Sequence, residues 1–388
     1  MYSFFKKLFS QSCDQINIMC AFKPIYISLS AFGLMPYSLR FPKSKECAII
    51  IHKSIYINSL WSMSVILILH LGFVLHLQQL YADTEHNTMT EVLSTKMNYI
   101  LELLTLLLFS TVTYFCAFKN RFTCVKILNS ITMCSNKLLD HSRAATLREI
   151  DVQVKIVTVC LCLLLVIQLM VNFTRDDTMW KKTLVLLTFI VPQMIQFTMI
   201  SLYYVLVSMI VATLKSINGS LITIVKTRKF YASKLKKVRV KTVDLLLVQI
   251  LYVKIMDIKR EINKTFQASI LVTMIQCFHS LVSETYIIYH GVSKEMSLTT
   301  HDICNCSIWI SYQLMKIYTI SRSGMILKEQ IAEFGRNLHN IPTGKEDARL
   351  YLEIQHFSTL IMHQDAALTV YDYFPLDASL MFNVSSYI

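Results

Sequence analysis

Charged and amide side chains set inside long apolar runs are where this chain could do chemistry. Glu102 and Glu284 each stand alone in an otherwise uncharged stretch, and Lys316 does so in a third. An ionisable group inside a membrane segment costs several kcal/mol, so each points to a bound molecule, an ion path or a partner on another helix. Glu102 and Glu284 suit a basic or polyhydroxylated molecule, or they shape the field felt by entering cations; hydrogen bonding between helices is the alternative. Lys316 is expected to snorkel to the nearer membrane face. Gln193 and Gln196 lie three apart on one helix face, beside Pro192. A proline removes a backbone donor and frees a carbonyl, so polar groups gather near it as inter-helix contacts or as part of a pocket. Gln168, Trp309 and Tyr312 add amide and aromatic surface. His70 and His76 read as packing or interfacial residues.

Catalysis finds no support. There is no G-x-S-x-G, H-E-x-x-H or Walker-type loop, and seven glycines leave little for phosphate-cradling turns. The eleven cysteines lack metal-ligand spacing and read mainly as small buried hydrophobes. No enzyme, metal or cofactor is expected.

The elements that must hold these residues are membrane helices. Hydrophobic residues make up 54% of the 388, charged residues only 16%, and the mean hydropathy is +0.47. Soluble domains carry about 25% charged residues. A bilayer core needs roughly 20 apolar residues per helix. Six stretches qualify, at 55–77, 97–118, 156–173, 183–211, 266–290 and 303–320, with a partial seventh at 374–388. The fold class is therefore an all-α polytopic membrane bundle forming one domain over 1–388. The 24–39 stretch is too short and proline-interrupted to cross, and is expected at the interface. "LLLVQILYV" reads as the apolar face of an amphipathic helix feeding the fifth span.

Basic residues fix the expected orientation. Lys/Arg number seven before the first span, then one, six (from Lys119 to Arg148), three, thirteen, one and five in the stretches that follow. This alternation puts the N-terminus and a large 215–265 loop in the cytoplasm. The net charge of +13 is thus topological rather than a sign of nucleic-acid binding, with anionic lipid contact a secondary role. Among sequons, Asn172 and Asn305 fall at outer ends, whereas Asn218 and Asn263 are cytoplasmic and should carry no sugar.

An N-inside seven-span plan resembles the insect gustatory and odorant receptor superfamily. "EIQHFSTLIMHQDAALTVYDYFPLDASLMFNVSSYI" is similar to the gustatory receptor signature, with Phe357, His363, Phe374, Leu376 and Asp377 where the pattern expects them. "DIKREINKTFQASILV", including Asn263, resembles the entry to the family's fifth span, "AFKPIYISLSAFGLMPYSL" the stretch before its first, and "PQMIQFTMISLYYVLVSMIVATLKSING" its fourth. Departures are Leu360 for a frequent Gln, Tyr371 and Asp372 for a small Cys-Gly pair, and the missing closing Thr-Tyr…Gln-Phe. The chain is expected to be a piece of a longer one that breaks off early in its last helix.

The resemblance implies a ligand-gated, nonselective cation channel subunit in the plasma membrane of chemosensory neurons. It implies a homo- or hetero-tetramer detecting a small-molecule tastant, with a bitter type favoured. It also implies that the last helix lines the pore, that the ligand sits among the other helices toward the outer face, and that cytoplasmic helix extensions hold subunits together. Glu102, Gln168, Gln193, Gln196, Glu284, Trp309 and Tyr312 are then the ligand-binding candidates. An odorant receptor is the alternative. A G-protein-coupled receptor fits less well, because its N-terminus would be outside, and a transporter would need paired Gly/Pro breaks in two halves.

Overall fold

A computed structural model describes residues 18–40, 49–51, 55–82, 93–137, 140–174, 178–233, 245–293, 300–342 and 348–380. The N-terminal basic residues up to 17, most of the basic run before 245 and the last helix beyond Leu380 lie outside them. The described chain is an all-α bundle with two short hairpins. Helix α1 (Ile18–Ala31) leads into the antiparallel strands β1 (Ser38–Arg40) and β2 (Ile49–Ile51). Helices α2 (Ile55–Ala82), α3 (Leu93–Lys119), α4 (Thr123–Asn136) and α5 (Asp140–Phe173) follow. Helix α6 (Met179–Val185) passes through a π-helical turn (Leu186–Ile190) into α7 (Val191–Ser233). Then come α8 (Leu245–Ser293), α9 (Thr300–His339), α10 (Ala348–Met362), β3 (Thr369–Val370) and β4 (Phe374–Pro375).

Five of these helical stretches are long and apolar enough to cross a membrane: Ile55–Tyr81, Lys96–Lys119, Leu147–Phe173, Met179–Lys226 and Leu245–His290. They contain the first five expected spans. Helix α9 has the length, and its apolar 303–320 part continues into the polar turns that end in "KEQIAEFGRNLH". The outward faces of α2 and α5 carry Ile57, Leu60, Leu67, Leu71, Ile156, Leu163 and Met170 exposed. In water so large an apolar surface would be an aggregation hazard; in a bilayer it is the solvated face.

Helix α7 is the axis. Of its most apolar stretch 83% is buried, against 22% to 50% for the other four, and α5, α8 and α9 pack along it. At 43 residues it is about 65 Å long, and α8, at 49, about 74 Å, roughly twice a bilayer core. The expected 215–265 loop is thus helical at 215–233 and 245–265, and "LLLVQILYV" forms the start of α8. Helix α1, at 14 residues, is too short to span and packs Phe22, Ile25 and Leu29 into the bundle. It ends at Gly33, whose φ of +69° lets Leu34 N donate to Leu29 O at 2.8 Å.

The ends of the bundle differ in chemistry. One, near Trp309, is lined by aromatic and polar side chains. The other, near Phe334, is an aromatic core in which Tyr252 stacks on Phe334 at 4.8 Å and both meet Phe357 edge-on. Among the described cysteines, Cys134, Cys277 and Cys306 are buried as expected, whereas Cys160 and Cys304 are exposed. Burial pushes the Cys134 thiol above its ordinary range.

Candidate ligand-binding site

The site begins with Pro192, the second residue of α7. Its nitrogen carries no hydrogen for the carbonyl four residues back, and its ring crowds that carbonyl. The chain responds by widening: Val191 N donates to Leu186 O, one residue beyond the α-helical register. This extra residue turns Thr188, Phe189 and Ile190 into the bundle. Gly72 of α2 permits the approach, since a Cβ there would come within 2.3 Å of Leu187. Thr188 Oγ1 then lies 2.7 Å from His76 Nδ1, and His76 Nε2 lies 3.1 Å from the Tyr99 hydroxyl.

An aromatic wall runs inward from there. Ring centroids are 5.1 Å apart for Tyr99 and Phe189, 6.1 Å for Phe189 and Trp309, 6.3 Å for Trp309 and Tyr312, and 5.6 Å for Tyr312 and Phe197. The wall ends at Lys316, whose Nζ sits 5.3 Å from the Phe197 centroid.

Lys316 does not snorkel. Its side chain is 0% exposed, and Nζ donates to Gln193 Oε1 at 3.0 Å, Gln313 Oε1 at 2.7 Å and Gln276 Oε1 at 3.3 Å, with a short contact to Gln196 Oε1. Snorkelling needs a free path along an outer helix face, and α7 and α8 close that path on either side of α9. Four amide oxygens from three helices therefore replace the ammonium's hydration shell. From this cage Gln313 Nε2 donates to Ser280 Oγ at 3.2 Å, and Ser280 Oγ donates to Glu102 Oε1 at 2.9 Å. A cation and a carboxylate are thus joined through two neutral groups across α9, α8 and α3. Glu284 lies one turn beyond Ser280 on α8, its carboxyl against the Cys306 thiol.

A second constellation lies about 18 Å further along α9, at the β3–β4 hairpin. Lys259 Nζ donates to the Asp365 carbonyl at 2.6 Å, and Asn263 Oδ1 accepts from Thr369 N at 3.2 Å. Gly324 of α9 leaves room for the Leu376 carbonyl, which a Cβ would meet at 1.7 Å. Asp377 caps the turn that follows: Oδ1 accepts from Ser379 N at 3.0 Å, while Oδ2 pairs with Lys328 at 3.0 Å.

The profile described as 7tm chemosensory receptor matches residues 22–388, almost the whole chain. The chain belongs to the 7tm chemosensory receptor family. No curated protein sequence matches it. Among solved structures, the insect olfactory receptor OR5 from Machilis hrabei superposes with a TM-score of 0.71 at 12% identity, with 94% of each chain covered. The same receptor in complex with eugenol gives 0.71 at 13% identity, again with 94% of each chain covered. At such identity the likeness carries the fold alone.

Within this receptor, Glu102, Gln193 and Gln196 of the candidate set join one network, and Trp309 and Tyr312 join the wall leading to it. Glu284 stands one turn away. Gln168 is buried on α5, with neither amide atom meeting a partner among the described residues. Of the motif residues, Phe357 is fully buried, Leu376 is buried and Asp377 caps the turn after β4, Phe374 is half-buried on β4, and His363 is exposed. Sequence reasoning missed Gln276, Ser280, Gln313, Thr188 and Phe197. The i, i+4 spacing of Gln276 and Ser280, and the i, i+3 spacing of Gln313 and Lys316, were the available signals.

Proposed function

We propose that this chain is a gustatory-type receptor, a subunit of a ligand-gated nonselective cation channel that detects a small tastant of the bitter type. One observation carries the reading: in an insect chemoreceptor fold, buried polar groups converge at the inner end of an aromatic wall, far from the helix extensions. Small-molecule sites combine such aromatic walls with a few convergent polar groups. The Trp309 end faces outward in this reading, and the Phe334 end is cytoplasmic, in the plasma membrane with the N-terminus inside. Glu102, Gln193, Gln196, Trp309 and Tyr312 contact ligand, with Glu284 and Gln168 at the margins. The last helix, opened by Asp377, lines a pore shared by four subunits, homomeric or heteromeric, and lipid covers α2 and α5.

The similarity to an olfactory receptor, seen with eugenol in one structure, supports an odorant receptor as the second reading. The two share fold and mechanism, so ligand chemistry separates them. The channel itself is tested by recording from cells expressing the receptor while tastants are applied. A cation current that persists when G-protein signalling is blocked is expected. A response abolished by that block would refute the channel reading.

A further inference from the structure

The amide cage around Lys316 is unbalanced in two ways. An ammonium has three hydrogens, and four amide oxygens stand around this one, with Gln276 the most distant at 3.3 Å. One amide oxygen can therefore be replaced without cost to the lysine. The amide nitrogens tell the same story from the other side. Gln193 Nε2, Gln196 Nε2 and Gln276 Nε2 are all buried and meet no acceptor among the described residues; only Gln313 Nε2 has one. A buried donor without a partner costs about 1–3 kcal/mol. The unsatisfied capacity next to the cation consists of donors alone. No carboxylate lies within ion-pair distance of Lys316 among the described residues, and Glu102 is reached only through Gln313 and Ser280.

A group that only accepts hydrogen bonds and carries negative charge fits this arrangement. A carboxylate has four lone-pair sites and no donor. Seated beside Lys316 in place of Gln276 Oε1, it takes one hydrogen from the ammonium and others from the amide nitrogens. A protonated amine meets the reverse: a like charge and surplus donors. The rings of Phe197, Tyr312 and Trp309 offer apolar surface for the rest of the molecule.

We infer that the cage around Lys316 is a carboxylate subsite, so that the receptor prefers small organic acids over amines of the same skeleton. This rests on the bundle core being the ligand site. The test uses purified receptor in lipid nanodiscs and three matched sets: phenylacetate, 3-phenylpropionate and hexanoate, each with its alcohol and its amine. Binding is read by melting shift and titration. At least one acid is expected to bind 10-fold or more tighter than its amine, and Lys316→Gln is expected to erase that preference. Because Lys316→Gln could fold poorly, Gln276→Glu supplies a second arm. It places a carboxylate where the ligand's would sit, and it should raise the melting temperature and abolish the acid's shift.

Failure of every acid to bind, an amine binding as tightly as its acid, or an acid preference that survives either substitution would overturn the inference. Acid binding without any current would sink the channel reading and leave this one standing. A current evoked only by amines or alcohols would do the opposite.

Discussion

Lys316 and Phe357 are both fully buried, for different physical reasons. Phe357 fills an aromatic core with Tyr252 and Phe334, where deletion leaves a cavity. Phe357→Ala should cost about 3–5 kcal/mol, read as a lower denaturation midpoint in detergent. His363, from the same motif, is exposed, and His363→Ala should stay within about 0.5 kcal/mol. Around Lys316 the currency is hydrogen bonding. Gln313→Leu takes the amide donor from Ser280 Oγ and breaks the path from Lys316 to Glu102, and should destabilise by about 1–3 kcal/mol. Gln168 gives the contrasting result. Its amide is buried with neither atom partnered, so Gln168→Leu should be neutral or stabilising in the same melt. Glu102 and the two glutamines beside Pro192 could be picked from sequence, because a polar residue in an apolar run is conspicuous. That they share one lysine could not, since Gln193 and Gln196 lie 123 and 120 residues from it.

Two local elements depart from regular geometry, the π-helical turn and the β3–β4 hairpin. The π-helical turn follows from Pro192, and Pro192→Ala should restore α-helical register. That would rotate Thr188 away from His76 and weaken ligand-evoked responses about 10-fold or more. The β3–β4 hairpin turns through Tyr371 and Asp372, both left-handed, with φ of +47° and +59°. The hydrogen bond from Tyr373 N to Val370 O, at 2.9 Å, closes it. Such turns favour Asn-Gly, and a bulky residue there is strained by about 1–3 kcal/mol. The double substitution Tyr371→Asn with Asp372→Gly should therefore raise stability by about 1–2 kcal/mol, measured as melting temperature. Gly324→Ala should do the reverse and loosen the seat of Leu376, because the clash is with backbone. The departure from a small Cys-Gly pair was visible in the sequence. Its meaning was not, because positive φ is a property of the closed hairpin.

For the whole molecule, the orientation has its own test. An N-terminal epitope tag should bind antibody only after cells are permeabilised, and no sugar should be removable from Asn218 or Asn263. Staining of intact cells would overturn the orientation. Asn218 is in any case buried, its amide donating to Glu333 at 3.2 Å and accepting from Asn337 at 2.9 Å. By itself the sequence determined the membrane bundle, its long apolar helices and its family, because run length and charge alternation are local quantities that summation along the chain preserves. Only the tertiary structure decided which helix is central, that Lys316 is caged rather than snorkelling, and that Asn263, Gly324 and Lys328 seat the β3–β4 hairpin and the turn after it. Each of those depends on the azimuth at which one helix meets another, and azimuth is fixed by packing of all the helices together.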